Sequence, residues 1–283
     1  MLFLFFLIAC GVPMHLAAQS QEQEQGIKQQ KEQAGKPGLD EEEGKDQIQK
    51  NAQVLFDQGN SELENGNFSE ALHHYRQINT GKFQAGALYL NMGIAYVNID
   101  SLGLAKYYFM KAAQFESYSE QADEAISYVN KQFSRQSAVL PKLPWQQVFD
   151  WLNKNLGPSV VLFIGLTLLN IGILVFIFRW FVNFFPLFLK KAGRTTAIVG
   201  LLVIGLSFYL SYLDKRYVPG VMVHEETTVR EEPNPESAAV SQAYEGYDFT
   251  VDKKKSEAKE EWVYVRMSNG QYGWIANDEI RIL

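Results

Sequence analysis

Two uncharged apolar stretches dominate the pattern of hydrophobic and polar positions in the second half of the chain. They run from Ser159 to Phe178 and from Thr195 to Leu213. An α-helix needs about 20 apolar residues to cross the hydrocarbon core of a bilayer, so each stretch predicts one membrane-spanning helix. The connecting residues 179–194 contain Arg and Lys and no acid, a pattern that keeps a short loop in the cytoplasm. The sequence therefore predicts a transmembrane hairpin whose two flanking regions lie on the opposite side of the membrane.

A shorter apolar run occupies the start of the chain. Residues 1–18 combine this run with small residues that precede a polar stretch, which predicts a cleaved secretory signal peptide. An alternative is that residues 7–10, LIAC, form a lipobox in which Cys10 is lipidated. Both alternatives predict an exported chain. Cys10 is the only cysteine, so the sequence excludes an intrachain disulfide bond and a Cys-based metal site.

Two further segments are predicted from their composition and spacing. Residues 19–45 are rich in Gln, Glu, Lys and Gly, and they can bury too little apolar surface to offset the entropy of ordering. We expect them to be a disordered linker. Residues 144–156 instead place large apolar side chains, among them Val148 and Leu152, at helical spacing. This pattern predicts an interfacial helix that leads into the first membrane span.

Residues 46–135 contain a repeat with a period of 34 residues. The recurrence pairs Gly59 with Gly93, Ala71 with Ala105, and Tyr75 with Phe109. In period and pattern the region resembles the tetratricopeptide repeat, a helix–turn–helix unit. The resemblance implies two helix pairs followed by a capping helix from Ser119 to Phe133. An ordinary helical bundle is the alternative.

Stacked helix pairs leave a concave groove that binds extended peptides or helices of partner proteins. The groove candidates lie on the first helix of each predicted pair, and they are Phe56, Asn60, Leu63, Leu90, Ile94 and Val97. The aliphatic members are equally suited to the core of the repeat domain.

From Val221 to Leu283 the pattern changes to short β runs, with a hairpin turn predicted at Asn269-Gly270. Three segments resemble bacterial SH3-like domains: TVREEPNPES at 228–237, EWVYVR at 261–266 and GQYGWI at 270–275. The resemblance implies a small all-β barrel that binds peptides or cell-wall material. The candidate ligand face consists of Tyr244, Tyr264 and Tyr272. The alternative is that the aromatic residues pack the barrel, which we expect for Trp262 and Trp274.

Charge and motifs narrow the function further. The chain carries 32 acidic and 26 basic side chains, so it lacks the basic surface that nucleic acid requires. The sequence has no P-loop, no G-x-S-x-G, no HExxH and no Cys/His cluster. We therefore predict no enzyme, no cofactor and no metal site. A channel or transporter subunit is a weaker alternative, because neither membrane span contains an acidic or basic residue.

The predicted fold class is a multi-domain membrane protein: an all-α tetratricopeptide repeat domain, a two-helix transmembrane hairpin and a small all-β SH3-like barrel. This order of domains resembles the BatE family of the Bacteroides aerotolerance (Bat) operon. The resemblance implies a scaffold or adaptor in the bacterial inner membrane, with both soluble domains in the periplasm. It also implies protein partners of the von Willebrand A-type Bat class and a role in aerotolerance or stress. The alternative function is a sensor or tether that binds peptidoglycan through the SH3-like domain.

Overall fold

The structure, a computed structural model, describes residues 39–78, 83–135, 138–141, 143–178 and 186–283. The signal peptide and the lipobox predicted near the N-terminus lie outside these residues.

The chain divides into two compact units, residues 1–57 and residues 58–283. The described part of the first unit is helical, and its helix α1, Leu39–Glu64, continues into the second unit. This helix begins within the segment 19–45 that was expected to be disordered. The backbone is helical there because Leu, Glu and Lys favour a helix even where few apolar residues are available.

The helical part of the second unit continues with α2 (Phe68–Gln77), α3 (Gly86–Asn98), α4 (Leu102–Ala112), a 3₁₀ turn (Glu116–Tyr118) and α5 (Ser119–Gln132). The 34-residue repeat in the sequence corresponds to a contact between glycine and an aromatic ring that occurs in both helix pairs. A Cβ atom added at Gly59 would overlap the ring of Tyr75, and one added at Gly93 would overlap the ring of Phe109. Glycine is needed at both positions because each aromatic ring lies directly against the backbone of the neighbouring helix.

The turns between the paired helices also recur. Gly66 and Asp100 both have positive φ, 79° and 60° respectively. In each turn the next residue donates its backbone N–H to a carbonyl five residues earlier: Asn67 to Glu62 at 2.8 Å and Ser101 to Tyr96 at 3.0 Å. This is the hydrogen-bond pattern that ends a helix with a left-handed residue. The structure therefore shows two helix pairs with matching crossings and matching turns.

The apolar stretches form two long helices. Helix α6 (Pro144–Asn155) precedes α7 (Gly157–Phe178) and α8 (Pro186–Arg216). Both α7 and α8 are long and apolar enough to cross a membrane. Helix α8 begins within residues 179–194, which were expected to form the loop, because the backbone stays helical through LFLKKAGR, most of whose residues favour a helix.

Glycines set the distance between α7 and α8. Added Cβ atoms at Gly165 and Gly172 would lie 2.8 and 2.6 Å from atoms of α8, and one at Gly200 would lie 2.6 Å from the Leu169 amide nitrogen of α7. Gly193 faces Gly172 across the pair. The glycines are seven residues apart on each helix, so they share one face, and they allow the two backbones to approach closely.

The C-terminal part is one antiparallel sheet in the order β3-β2-β6-β5-β4-β1-β7. The strands are β1 (Tyr217–Met222), β2 (Glu226–Arg230), β3 (Ala239–Tyr244), β4 (Asp248–Asp252), β5 (Trp262–Met267), β6 (Tyr272–Ala276) and β7 (Ile280–Ile282), with the short helix α9 (Lys253–Ser256) after β4. Its core contains Met222, Val229, Val251, Val265 and Ile275. Strand β1 follows α8 directly, so the sheet begins four residues before Val221, where the sequence predicted its start.

The helix pairs pack on the turn between β3 and β4. Lys106 on α4 is 3% exposed, and its Nζ donates to the Gly246 carbonyl at 2.7 Å and pairs with Asp248 at 2.8 Å. The amide of Gly103 donates to Glu245 Oε1 at 2.6 Å. Burial raises the pKa of Glu245, although the hydrogen bond from Gly103 opposes this shift. These contacts join the repeat helices to the sheet within the second unit.

Candidate functional site

The outward face of β5 and β6 carries a cluster of aromatic side chains. Along β5 the residues alternate, with Val263 and Val265 in the core and Tyr264 on the opposite face. The rings of Tyr264 and Tyr272 are stacked with centroids 6.2 Å apart, and Trp274 meets Tyr264 edge-on at 5.2 Å. Trp274 lies directly opposite Tyr264 on the neighbouring strand, and Tyr272 is the diagonal neighbour of Tyr264. The sheet thus brings together two of the three tyrosines predicted as a ligand face.

Two cations lie over this aromatic pair. The Nζ of Lys255 is 3.9 Å from the centre of the Tyr264 ring, and the guanidinium of Arg266 is 5.5 Å from that of Tyr272. Helix α9 places Lys255, because its N-cap residue Asp252 accepts a hydrogen bond from the Lys255 amide at 3.2 Å. Each cation is attracted to the electron-rich face of its ring, which holds the side chain in one region.

A third cation comes from the end of α8. Arg216 donates to both carboxylate oxygens of Asp252, with Nη2 2.7 Å from Oδ2, and Nη1 donates to the Tyr212 hydroxyl at 2.6 Å. Burial raises the pKa of Asp252, but the hydrogen bonds from Arg216 and the Lys255 amide outweigh it, so the pKa lies below its ordinary value. Asp252 is therefore charged, and its carboxylate already accepts hydrogen bonds from Arg216 and from the Lys255 amide.

Together these groups line an open cavity of about 500 Å³. Its lining consists of Arg216, Tyr217, Thr250, Asp252, Lys255, Tyr264, Arg266 and Tyr272. We refer to these eight residues as the cationic pocket. A cavity of this volume is in the range that holds small molecules and headgroups.

Residues 225–281 match the family described as the bacterial SH3 domain. This segment is a bacterial SH3 domain. It covers β2 to β7, and the first strand of the sheet, β1, precedes the match. No curated protein matches the chain.

The cationic pocket extends beyond the SH3 domain. Tyr264, Tyr272, Lys255 and Arg266 lie inside the matched segment, whereas Arg216 belongs to α8. The pocket is therefore completed by the end of a helix that is long and apolar enough to cross a membrane. The sequence alone did not indicate these cations, because a run of lysines such as Lys253–Lys255 is typical of a solvent-exposed loop. The signal was present in the alternation of Tyr264 and Arg266 along one strand face.

Tyr244, the third predicted tyrosine, lies elsewhere in the SH3 domain. It packs edge-on against Tyr247 at 5.6 Å, and the guanidinium of Arg135 is 4.2 Å from its ring centre. Arg135 follows helix α5, so Tyr244 belongs to the contact between the repeat helices and the sheet. Trp262 and Trp274, which were expected to pack the interior, are half-buried.

Only two of the six predicted groove residues line a common cavity. Ile94 and Val97 line a cavity of about 390 Å³ together with Ala125 and Tyr128 of α5. Asn60 is used within the helix pairs, since its Oδ1 accepts from the Tyr75 hydroxyl and from Asn91 Nδ2, both at 2.8 Å. Burial raises the pKa of the Tyr75 hydroxyl to about 12.

The remaining groove candidates do not line that cavity. Leu63 and Leu90 are half-buried, and Phe56 lies on α1 in the N-terminal unit. The structure therefore places Ile94 and Val97 in a cavity between α3 and α5. We refer to the residues Ile94, Val97, Ala125 and Tyr128 as the repeat groove.

Among the residues that the structure describes, no group of three or more His, Cys, Asp and Glu side chains could hold a metal ion. The repeat groove offers apolar and aromatic contact, and the cationic pocket offers cations over aromatic rings.

Proposed function

We propose that the protein is a membrane-anchored adaptor that binds a partner protein through the repeat groove. In this proposal the helix pairs are tetratricopeptide repeats, α7 and α8 form a transmembrane hairpin, and the protein is not an enzyme. The bacterial SH3 domain at residues 225–281 supports a binding role, since such domains bind proteins or cell-wall material.

The observation that carries the proposal is the continuity of the second unit. Helix α8 ends at Arg216 and β1 begins at Tyr217, so no linker separates the membrane helix from the sheet. The repeat helices are in turn joined to the sheet by buried Lys106 and by the bond from Gly103 to Glu245. A binding surface on the repeat helices is thereby held in a defined position relative to the hairpin.

The repeat groove has the features of a protein-binding surface. Tyr128 is 55% exposed and Ile94 is 37% exposed, and both border the same cavity. Large apolar side chains that are exposed together mark interaction sites more often than singly exposed ones do. Glu124 at the border of the cavity gives the groove one acidic rim position.

The resemblance to the BatE family suggests the partner and the location. It favours an inner-membrane protein with the repeats and the SH3 domain in the periplasm, and von Willebrand A-type Bat proteins as partners in a complex linked to aerotolerance or stress. Reporter fusions at Gly193 and after Leu283 test the location. A periplasmic reporter is expected to be active only in the second fusion, and activity in the first fusion contradicts this topology.

The binding proposal is tested by affinity capture of the full chain from detergent extracts. Deleting the repeats is unsuitable, because the deletion would expose the buried sheet residues that α4 covers. The double variant Ile94→Glu/Val97→Glu changes only the groove wall. The control is the double variant Val54→Glu/Ile99→Glu, which adds the same two charges at side chains that are 52% and 40% exposed and do not line the cavity.

The double variant Ile94→Glu/Val97→Glu is expected to lose a von Willebrand A-type partner that the wild type and the control retain. Equal recovery of that partner from all three proteins refutes the groove as its binding site. Loss from the control as well shows that the effect is not specific to the groove, and this outcome also counts against the proposal.

A second candidate function is a cell-wall tether. The stack of the half-buried Tyr264 on the exposed Tyr272 favours it, because sugar rings and peptides bind on aromatic faces. The test is co-sedimentation of the detergent-solubilised full chain with purified sacculi, compared with the variant Tyr272→Ala. Sedimentation that is the same with and without sacculi ends this alternative.

A further inference from the structure

The cationic pocket lies at the C-terminal end of α8, where three tyrosines are exposed. Tyr209, Tyr212 and Tyr217 are 50%, 44% and 39% exposed. Tyrosine is enriched at the level of the lipid headgroups, where its ring is apolar and its hydroxyl is hydrated. Arg216 lies one helical turn beyond Tyr212, a rise of about 6 Å along the axis. Given the membrane insertion proposed above, on which this inference rests, the pocket opens at the height of the headgroups.

The pocket has an excess of positive charge. Arg216, Lys255 and Arg266 line it, and Asp252 is the carboxylate among its lining residues. Asp252 is fully engaged by Arg216 and by the Lys255 amide. Among the described residues no carboxylate forms an ion pair with Lys255 or Arg266. These two cations therefore keep hydrogen-bond donors for a ligand.

The arrangement favours an anion over a neutral sugar. Lys255 covers one face of Tyr264, and Arg266 lies over the ring of Tyr272. Each cation thereby occupies ring surface on which a sugar would stack. Phosphate oxygens accept strong charge-assisted hydrogen bonds from Lys and Arg, and the Thr250 hydroxyl at the pocket wall offers a further donor.

The charge around the pocket is consistent with a membrane surface as the source of the anion. Helix α9 contacts the end of α8, and its residues Lys253 and Lys254 are exposed. Lys215 precedes Arg216 on α8 and is exposed as well. Basic residues clustered next to a membrane helix attract anionic lipids.

We propose that the cationic pocket binds the phosphate of an anionic phospholipid from the leaflet next to the C-terminal end of α8. The bound headgroup fixes the SH3 domain against the membrane surface, with Lys255 and Arg266 as the residues that select for negative charge. The pocket is then a lipid site built jointly from the SH3 domain and the membrane helix.

The test is native mass spectrometry of the full chain in detergent, titrated with dioctanoyl-phosphatidylglycerol or dioctanoyl-phosphatidylcholine. The double variant Lys255→Gln/Arg266→Gln removes the two pocket cations that form no ion pair with a described residue. The control Lys131→Gln/Lys259→Gln removes the same charge at exposed positions outside the pocket. Competition with inorganic phosphate and with soluble peptidoglycan fragments identifies the source of the ligand.

The wild type and the control are expected to bind phosphatidylglycerol about tenfold more tightly than phosphatidylcholine, a preference that the pocket variant loses. Equal binding of the two lipids by the wild type overturns the inference, and so does an equal loss in the control. Displacement of the lipid by inorganic phosphate at equal concentration overturns it in favour of a free anion. Displacement by peptidoglycan fragments overturns it in favour of a cell-wall ligand.

This experiment is independent of the adaptor proposal. Binding in detergent depends on the pocket and does not require the repeat groove or a bilayer. Flotation of the reconstituted full chain with phosphatidylcholine vesicles tests membrane insertion separately. A chain that floats but shows no lipid preference refutes only the pocket, whereas a chain that fails to float refutes the membrane anchor.

Discussion

The substitution Lys106→Met tests the contact between the repeat helices and the sheet. Methionine keeps most of the apolar stem of lysine and removes the ammonium group, whose Nζ lies 5.8 Å from the centre of the Phe133 ring. The variant loses the hydrogen bond to the Gly246 carbonyl and the ion pair with Asp248. The matched variant Asp248→Asn removes only the charge of the ion-pair partner.

The two losses differ in size because the two partners differ in exposure. A hydrogen bond from a charged donor contributes about 1.5–3 kcal/mol, and the Gly246 carbonyl that accepts it is buried. The side chain of Asp248 is 53% exposed, so water screens the ion pair. Such pairs contribute about 0–1 kcal/mol. We expect Lys106→Met to cost about 2–3 kcal/mol at this contact and Asp248→Asn less than about 1 kcal/mol.

Hydrogen exchange measures this contact directly, since the amide of Gly103 donates to Glu245 across it. A loss of about 2 kcal/mol in the free energy of local opening increases the exchange rate of this amide by about 30-fold. Amides in the buried strand β5 serve as the internal reference and are expected to keep their protection. The reasoning is refuted if Lys106→Met changes the exchange of Gly103 by less than threefold, or if Asp248→Asn has an equal effect.

Three further predictions concern the turns, the helix crossings and pH. Asp100 has a positive φ that glycine adopts without strain, so Asp100→Gly is expected to stabilise the chain by about 0.5–1 kcal/mol. Gly66→Ala places a side chain at a positive φ and is expected to destabilise the chain by a similar amount. The two variants should therefore shift the melting temperature in opposite directions. Gly93→Ala overlaps the ring of Phe109 and should cost about 1–3 kcal/mol, and a second change, Phe109→Leu, should recover part of this loss in thermal unfolding. Because burial raises the pKa of Glu245, the docked state binds its proton more tightly than the open state does, so docking strengthens as pH falls from neutral through that raised pKa towards the ordinary value. The exchange of Gly103 should therefore slow on acidification after correction for the intrinsic rate, and a pH dependence that persists in Glu245→Gln contradicts this assignment.

The sequence predicted the elements whose hydrophobic pattern is long or regular. The two apolar stretches appear as α7 and α8, and the β runs at the C-terminus form the SH3 domain. Their ends were predicted less well, because helix formation continues through polar residues such as Lys190 and Lys191 that lower the hydropathy without breaking the backbone hydrogen bonds. The identity of the helix pairs as tetratricopeptide repeats, and the Bat-type partners, stay predictions.

The contacts between distant segments could not be predicted. Lys106 occupies one position of an amphipathic helix, where lysine normally indicates solvent, and only the fold shows that the β3–β4 turn covers it. The same limit applies to Tyr244. It was predicted to belong to a ligand face, but Arg135, from a separate part of the chain, lies over its ring. The role of Arg216 in the cationic pocket likewise depends on the position of Asp252 in the fold.

In the membrane hairpin proposed above, the glycines of α7 and α8 restrict how the pair can contact other proteins within the bilayer. Gly165, Gly172, Gly193 and Gly200 all point inward and are used up by the approach of α7 to α8. Gly205 faces outward, but the positions four residues before and after it are the large residues Leu201 and Tyr209. This face therefore lacks the small-residue motif that lets a second helix pack closely. Side chains such as Phe163, Leu174 and Leu202 cover the outer surface. In the proposed membrane arrangement, such an outer surface has little to distinguish it from the surrounding acyl chains, so we expect selective binding of other proteins to depend on the parts of the chain outside the bilayer.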